Sequence, residues 1–213
     1  MIDSLVTFVI GMSGGSAALG IVLFTLAVRL LLVPLAVRQA RAARLGRRLA
    51  PRLRELRERY ARDPQRLAEK TRALYAEAGG SPFGGVGPAL AQMPFLWLMY
   101  RVATHPTALA GQDLLGAPLG QHLAGVIAHY GLISWPVSVF ALIIVLVLVL
   151  AWWSSRRMEV PEGQPQAVTR IMRLMPYGSV LAAAVLPLAA GLYLLVSTAW
   201  TAGERAVLTS RTA

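Results

Sequence analysis

The sequence has no cysteine among its 213 residues. That excludes disulfide staples, thiolate metal sites, thiol nucleophiles and a lipidated N-terminal cysteine. Charge is also scarce, with Asp, Glu, Lys and Arg at 15% of the chain against 56% hydrophobic residues. Soluble domains carry roughly a quarter charged residues, so this balance suits a polytopic membrane protein instead. Acidic groups are the rarer sign, 10 against 21 basic, for a net charge of +11. There is no phosphate-cradling glycine loop, no nucleophile elbow and no pair of acids inside an apolar segment. No catalytic constellation and no cofactor are therefore expected, and the chain does not read as an enzyme. His105, His122 and His129 lie apart in one loop with Asp113 as the nearby carboxylate, a spacing that fits no zinc site.

What the chain has in abundance is long apolar runs separated by unevenly placed charge. Thirteen of the basic residues fall between Arg38 and Arg72, whereas Gly111 to Pro136 contains no Lys or Arg. Short basic loops stay in the cytoplasm, so this asymmetry orients the chain. Met1 to Ser16 carries only Asp3 and lacks the positive region of a secretory signal. The first span is accordingly expected to be retained, with the N-terminus outside. Trp135 and the pair Trp152-Trp153 mark the two interfaces of the most apolar run, and Arg156 and Arg157 put its exit in the cytoplasm. Pro187 interrupts the final apolar stretch, and the basic tail wants an even number of crossings there.

The expectation is an all-α polytopic membrane protein with five transmembrane helices, N-terminus out and C-terminus in. Residues 1–17 form an outer interfacial segment, 18–37 the first span, and 38–86 a basic cytoplasmic helical hairpin with its return. The second span covers 87–106, an extracytoplasmic loop 107–131, the third span 132–153 and a cytoplasmic loop 154–170. The fourth span covers 171–186, the fifth 187–205, and a cytoplasmic tail 206–213. The last two spans are roughly 24–26 Å long, shorter than a ~30 Å hydrocarbon core, which implies local bilayer thinning. A bacterial plasma (inner) membrane location follows.

Within the hairpin, Leu45, Leu49, Leu53, Leu56 and Tyr60 recur at helical spacing among arginines. Asp63 as N-cap and Pro64 in the first turn begin a second helix carrying Leu67, Leu74 and Tyr75, which stops at Gly79-Gly80. Residues 38–78 hold 13 basic against 5 acidic groups. Arg44, Arg47, Arg48, Arg52, Arg54, Arg57 and Arg59 are the candidate contacts to anionic lipid, where each basic residue contributes about 1 kcal/mol near the surface. The same charge suits a cytoplasmic partner such as an RNA-rich ribosome surface. Specific DNA binding is not expected. A topology anchor alone would explain the charge but not the apolar stripe.

Arg29 stands in the middle of the first apolar run, Ala17 to Leu35, and no carboxylate lies inside another apolar segment to pair with it. A guanidinium at mid-bilayer costs about 2.5–3.5 kcal/mol on insertion scales unless water or a partner reaches it. Arg38 at the cytoplasmic edge is about 13 Å away by helix rise, beyond comfortable snorkelling. A tilted or shifted span is the bland alternative; a wet, cytoplasm-open pocket is the sharper one. Thr25 lies one turn away on the same face. Tyr193, Ser197, Thr201 and Glu204 form a polar stripe on the last span at i, i+4, i+8 and i+11, with Thr198 adjacent and Gln92 on the second span. Taken alone, hydroxyls of this kind more often glue helices together. Glu204 is expected near the cytoplasmic mouth and not at Arg29.

The lone Arg29 followed by Leu30-Leu31-Leu32-Val33-Pro34-Leu35, the basic hairpin and its Gly-Pro-rich return together resemble the YidC family of membrane protein insertases. The stretch Gly79 to Met93 resembles the family's paired glycines, proline and Gln-x-Pro, here Gln92-Met93-Pro94. Met175-Pro176 and Pro187…Leu192-Tyr193…Val196-Ser197-Thr198 resemble its final hairpin. The likeness runs from about Ala18 to Val207. It departs where Thr198 and Ala189 replace a frequent asparagine and glycine, and where no lipoprotein signal precedes the first span, as in a divergent single-membrane bacterial type. The resemblance implies a five-helix core around a hydrophilic groove closed on the outside. Arg29, Thr25, Gln92, Tyr193, Ser197, Thr198 and Thr201 would line it. Nascent membrane proteins would be the clients, with the ribosome, the Sec translocon and anionic lipids as partners. Two other classes share the polar pocket: a small transporter or channel subunit with an anion-attracting site, and a translocon-associated folding factor without independent insertion.

Overall fold

In the computed structural model, the described residues are 11, 15–81, 90, 93, 97, 109, 111–158 and 166–210. The outer segment, most of the return and the second span, including Gln92, Arg101 and His105, lie outside them. The chain divides into two compact units, one of residues 1–31, 94–158 and 171–213, the other of 32–93 and 159–170.

The first helix, α1, runs unbroken over Ala17–Arg59 and so belongs to both units. It carries Pro34 and Pro51 in its interior, each of which forfeits one ladder hydrogen bond. The helix therefore does not end where the apolar run meets Arg38; the basic segment continues it. In the second unit α1 pairs with α2 (Pro64–Glu77). Leu49 and Leu74 are buried, and Leu45, Leu53, Leu56, Tyr60, Leu67 and Tyr75 are half-buried. These are the eight apolar positions of the sequence stripe. Gly46 allows the close approach, since a Cβ there would stand 3.4 Å from the Tyr75 hydroxyl.

Both ends of α2 are closed by local chemistry. The Asp63 side chain accepts from the Arg66 amide at 3.0 Å, and Pro64 occupies the first turn, where its missing N–H is harmless. At the other end Gly79 takes φ +70, which frees its amide to reach the Ala76 carbonyl at 3.0 Å. The Gly80 amide then reaches the Tyr75 carbonyl at 2.8 Å. These two crossed bonds are the Schellman closure that a left-handed residue permits.

The first unit is built around α4 (Trp135–Arg156). Val139, Phe140, Ile143, Val147 and Ala151 are buried along one side of it. Val139, Phe140, Ile143 and Val147 pack with α6 (Gly178–Val185) and α7 (Leu188–Ser210), joining one core with Ala183, Leu188, Ala189, Ala190 and Leu192. The helices approach closely at Gly191, where a Cβ would lie 3.4 Å from Ile143 Cγ2. Leu142, Val145, Leu146, Leu148 and Val149 are exposed on α4's other side. A helix apolar all round, with one side uncovered, suits lipid rather than water. By length and composition α1 and α4 are each able to cross a membrane. Arg156 and Arg157 stack on Trp152 and Trp153 at 4.2 and 4.5 Å, which keeps charge and indole together at that end.

Before α6 lie α5 (Gln166–Leu174) and a short 3-10 turn, Met175–Tyr177, made around Pro176. The Ser155 hydroxyl donates to the Arg173 carbonyl at 2.9 Å, tying this turn to the end of α4. The last apolar stretch breaks at Leu186-Pro187, as the proline requires, with Leu186 extended at ψ 164.

The loop between the second and third apolar runs is more structured than a plain connection. Asp113–Leu114 pairs antiparallel with Ala117–Pro118 around a turn at Leu115 (φ +52) and Gly116 (φ +82). Asp113 Oδ2 accepts from the Gly116 amide at 3.0 Å. Positive φ at both central positions is the turn geometry that suits the strand twist. Helix α3 (Leu123–Tyr130) follows. Ala117, Leu119 and Val126 have no exposed surface, so this segment is part of the core.

The segment also closes two helix starts. The first amides of a helix have no partner within it. The Leu188 and Ala189 amides of α7 donate to the carbonyls of Gln121 and Leu119 at 3.1 and 3.0 Å. The Ala17 amide of α1 donates to Gln112 Oε1 at 3.2 Å. In an apolar medium such groups have no water to turn to, so the loop is a necessary end-piece of the bundle.

Replacing the α2 cap, Asp63→Ala, should cost about 1 kcal/mol of local stability. Amide exchange across Gln65 to Leu67 should then run about fivefold faster, while exchange in α4 stays unchanged.

Candidate functional site

The candidate site forms where α1 and α7 share the first unit. Arg29 extends from the apolar part of α1 and is half-buried. Its Nη2 donates to Ser197 Oγ on α7, a residue 6% exposed. This contact links positions 168 residues apart and joins the two polar features that stood out in the sequence.

The other hydroxyls do something different. Thr25, 2% exposed, donates to the Ile21 carbonyl at 2.6 Å. Thr198 donates to the Leu194 carbonyl at 2.7 Å, and Thr201 to the Ser197 carbonyl at 2.9 Å. Each satisfies its own donor on its own helix, the usual solution for a hydroxyl in an apolar setting. What remains on these oxygens is acceptor capacity. The arrangement is therefore a guanidinium with several N–H donors, one of them on Ser197, on two helices that also carry hydroxyls with spare acceptor capacity.

Tyr193 is half-buried on the same face of α7 and within electrostatic range of Arg29. Glu204 is within that range as well. The sequence reading put Glu204 near the cytoplasmic mouth and not at Arg29, and no hydrogen bond or ion pair joins the two side chains. Trp200 went unnoticed in the sequence. It lies three residues after Ser197 and four before Glu204, so it belongs to the same stripe, but an indole reads as packing. Its Nε1 and Glu204 Oε1 are buried without hydrogen-bond partners.

The structure thus brings Arg29 and Ser197 together, with Tyr193 and Glu204 within electrostatic range, and places Thr25, Thr198 and Thr201 on the same two helices. Gln92 lies outside the described residues. In the other unit, Arg47, Arg48, Arg52, Arg54, Arg57 and Arg59 are exposed on the hairpin and Arg44 is half-buried. Arg54 meets Glu58 at 3.1 Å and Arg66 meets Asp63 at 3.4 Å, both at the surface. Such surface pairs contribute little to stability.

An apolar helical architecture with a half-buried arginine and a basic helical hairpin defines a class of membrane-embedded proteins, and the comparisons agree. The family model for the 60Kd inner membrane protein matches residues 8–213. The chain belongs to that family, the one that includes the YidC insertases. It is 32% identical over 124 residues to the membrane protein insertase MisCA of Bacillus subtilis, covering 56% of this chain and 48% of that one. It is 38% identical over 112 residues to the membrane protein insertase YidC 1 of Streptococcus pyogenes, covering 51% and 41%. With the membrane protein insertase YidC of Streptomyces avermitilis it shares 29% identity over 220 residues, 91% of this chain and 51% of that one. The chain spans about half the length of these curated relatives.

Among the described residues, Ser197 is the side-chain acceptor that Arg29 meets, and Ser197→Ala removes it. Loss of a hydrogen bond to a charged group should destabilise the protein by about 1.5–3 kcal/mol, seen as a lower melting temperature in mild detergent. An unchanged melting temperature would mean that water already serves the guanidinium.

Proposed function

We propose that this protein is a membrane protein insertase of the bacterial plasma membrane, with five spans, the N-terminus outside and the C-terminus inside. Membership of the 60Kd inner membrane protein family supports this reading, and the relatives named above are insertases by description. The observation that carries the mechanism is Arg29, half-buried in an apolar bundle and held by a neutral serine rather than clasped by a carboxylate. A neutral partner leaves the positive charge unspent, so the site still attracts an anion.

A client's short hydrophilic tail enters from the cytoplasm and its acidic groups meet Arg29. The hydroxyls of Thr25, Ser197, Thr198 and Thr201, with Tyr193 and Gln92, offer acceptors that soften the loss of water. The client's apolar helix then moves into lipid alongside the uncovered side of α4. No nucleotide is hydrolysed. The driving free energy is the burial of the client's own apolar surface, about 25 cal/mol per Å². The protein lowers the barrier. The last helix does not need a thinned bilayer: over Leu188–Ser210 it is about 34 Å long, longer than the 187–205 span expected from the sequence. The loop that caps α1 and α7 supports a groove closed on the outside. The exposed arginines of the hairpin hold anionic lipid and the ribosome, and the Sec translocon is a further partner.

The test is insertion into vesicles of phosphatidylethanolamine and phosphatidylglycerol by purified protein alone. Arg29→Ala should lower insertion of acidic-tailed clients about tenfold, the loss of one charged hydrogen bond, and Arg29→Lys should keep part of it. Wild-type insertion by the alanine form would remove the need for a cation in the groove. Solute flux through the same vesicles without client insertion would favour a transporter.

A further inference from the structure

Glu204 is the residue of α7 that the reading above leaves without a task. Its Oε1 is buried and has no hydrogen-bond partner, and neither has the neighbouring Trp200 Nε1. Glu204 as a residue is half-buried, and the buried oxygen of its carboxylate is costly unless an opposite charge answers it. Arg29 and Arg205 are the cations that act on it, and it acts in return on Arg29. No direct contact joins Glu204 to Arg29, whose hydrogen bond goes to Ser197. Ser197, Trp200 and Glu204 stand at i, i+3 and i+7, on one side of α7, so the carboxylate lies further along the wall that Arg29 already touches.

This spacing has a consequence for charge. A contact ion pair would neutralise the guanidinium and occupy its donors. A carboxylate one step removed lowers the positive potential without occupying them. The donors stay with Ser197, a neutral partner that an incoming anion, drawn by the full charge, can replace.

We propose that Glu204 is a specificity-determining residue: a resident anion whose field a client's acidic tail must outcompete at Arg29. It sets how much negative charge a tail needs to be accepted. The proposal rests on the insertase reading and names the regulation of its site.

The experiment uses one single-spanning test protein in two forms, its tail carrying aspartates or the matching asparagines. Insertion is measured in the same phosphatidylethanolamine and phosphatidylglycerol vesicles with wild type, Glu204→Gln, Arg29→Ala and the double variant. The preference for aspartate over asparagine should rise about fivefold in Glu204→Gln, the lower end of typical site-to-site coupling, and should not change when Arg29 is already absent. Glu204→Asp, which keeps the charge, should hold the wild-type preference. An unchanged preference in Glu204→Gln, or an equal rise without Arg29, overturns the proposal. Melting temperatures of the four forms provide a readout independent of any client. Non-additive shifts are expected from the coupled charges, and additive shifts overturn the proposal even where both clients insert. Wild type that inserts neither client overturns the insertase reading itself, whatever the melting shifts show.

Discussion

A guanidinium carried on an apolar helix has to find acceptors, because hydrocarbon offers none and the side chain cannot shed its proton. In this protein the acceptor is Ser197, and that bond ties α1 to α7 at one point between them. Once Arg29 faces α7, Thr25 one turn away faces inward as well, and Tyr193, Thr198 and Thr201 fall along the opposing helix. The threonine hydroxyls turn their donors back onto their own helices, which leaves acceptor capacity on those oxygens. The polar site follows from a single unaffordable charge and the geometry that relieves it.

The second constraint is at the helix starts. α1 and α7 begin with amides that lipid cannot satisfy, and both are met by the segment around the 113–118 hairpin. Gln112 serves one and the carbonyls of Leu119 and Gln121 serve the other. Fixing those ends holds the two helices in the register that puts Arg29 opposite Ser197. A connection that is open to water in a soluble protein becomes a structural end-plate here, with Ala117, Leu119 and Val126 buried in the core.

Much of the fold was legible because it depends on local chemistry. Asp63-Pro64 announced a helix start and Gly79-Gly80 its end, and both closures use the hydrogen bonds those residues are built for. The break at Pro187 and the long apolar helix between the tryptophans follow from proline stereochemistry and unbroken hydropathy. The α1 continuation past Arg38 was less legible, since a change from apolar to basic composition marks a change of medium and not of backbone. The short 113–118 ladder was missed for a different reason: a two-residue pairing has no periodicity, and a turn at Leu115-Gly116 puts a leucine where glycine or asparagine is the recognised cue.

The sequence by itself determined that this chain is helical and apolar, that one basic hairpin stands apart, and that Arg29 and the α7 hydroxyls are polar residues in need of partners. Those properties are written in composition and in the 3.6-residue repeat, which each segment carries alone. Only the tertiary structure decided who those partners are. That Arg29 meets Ser197, that Glu204 stays one step away, and that a distant loop caps two helices all depend on contacts between positions about a hundred residues or more apart in several cases, a separation across which helical periodicity is silent.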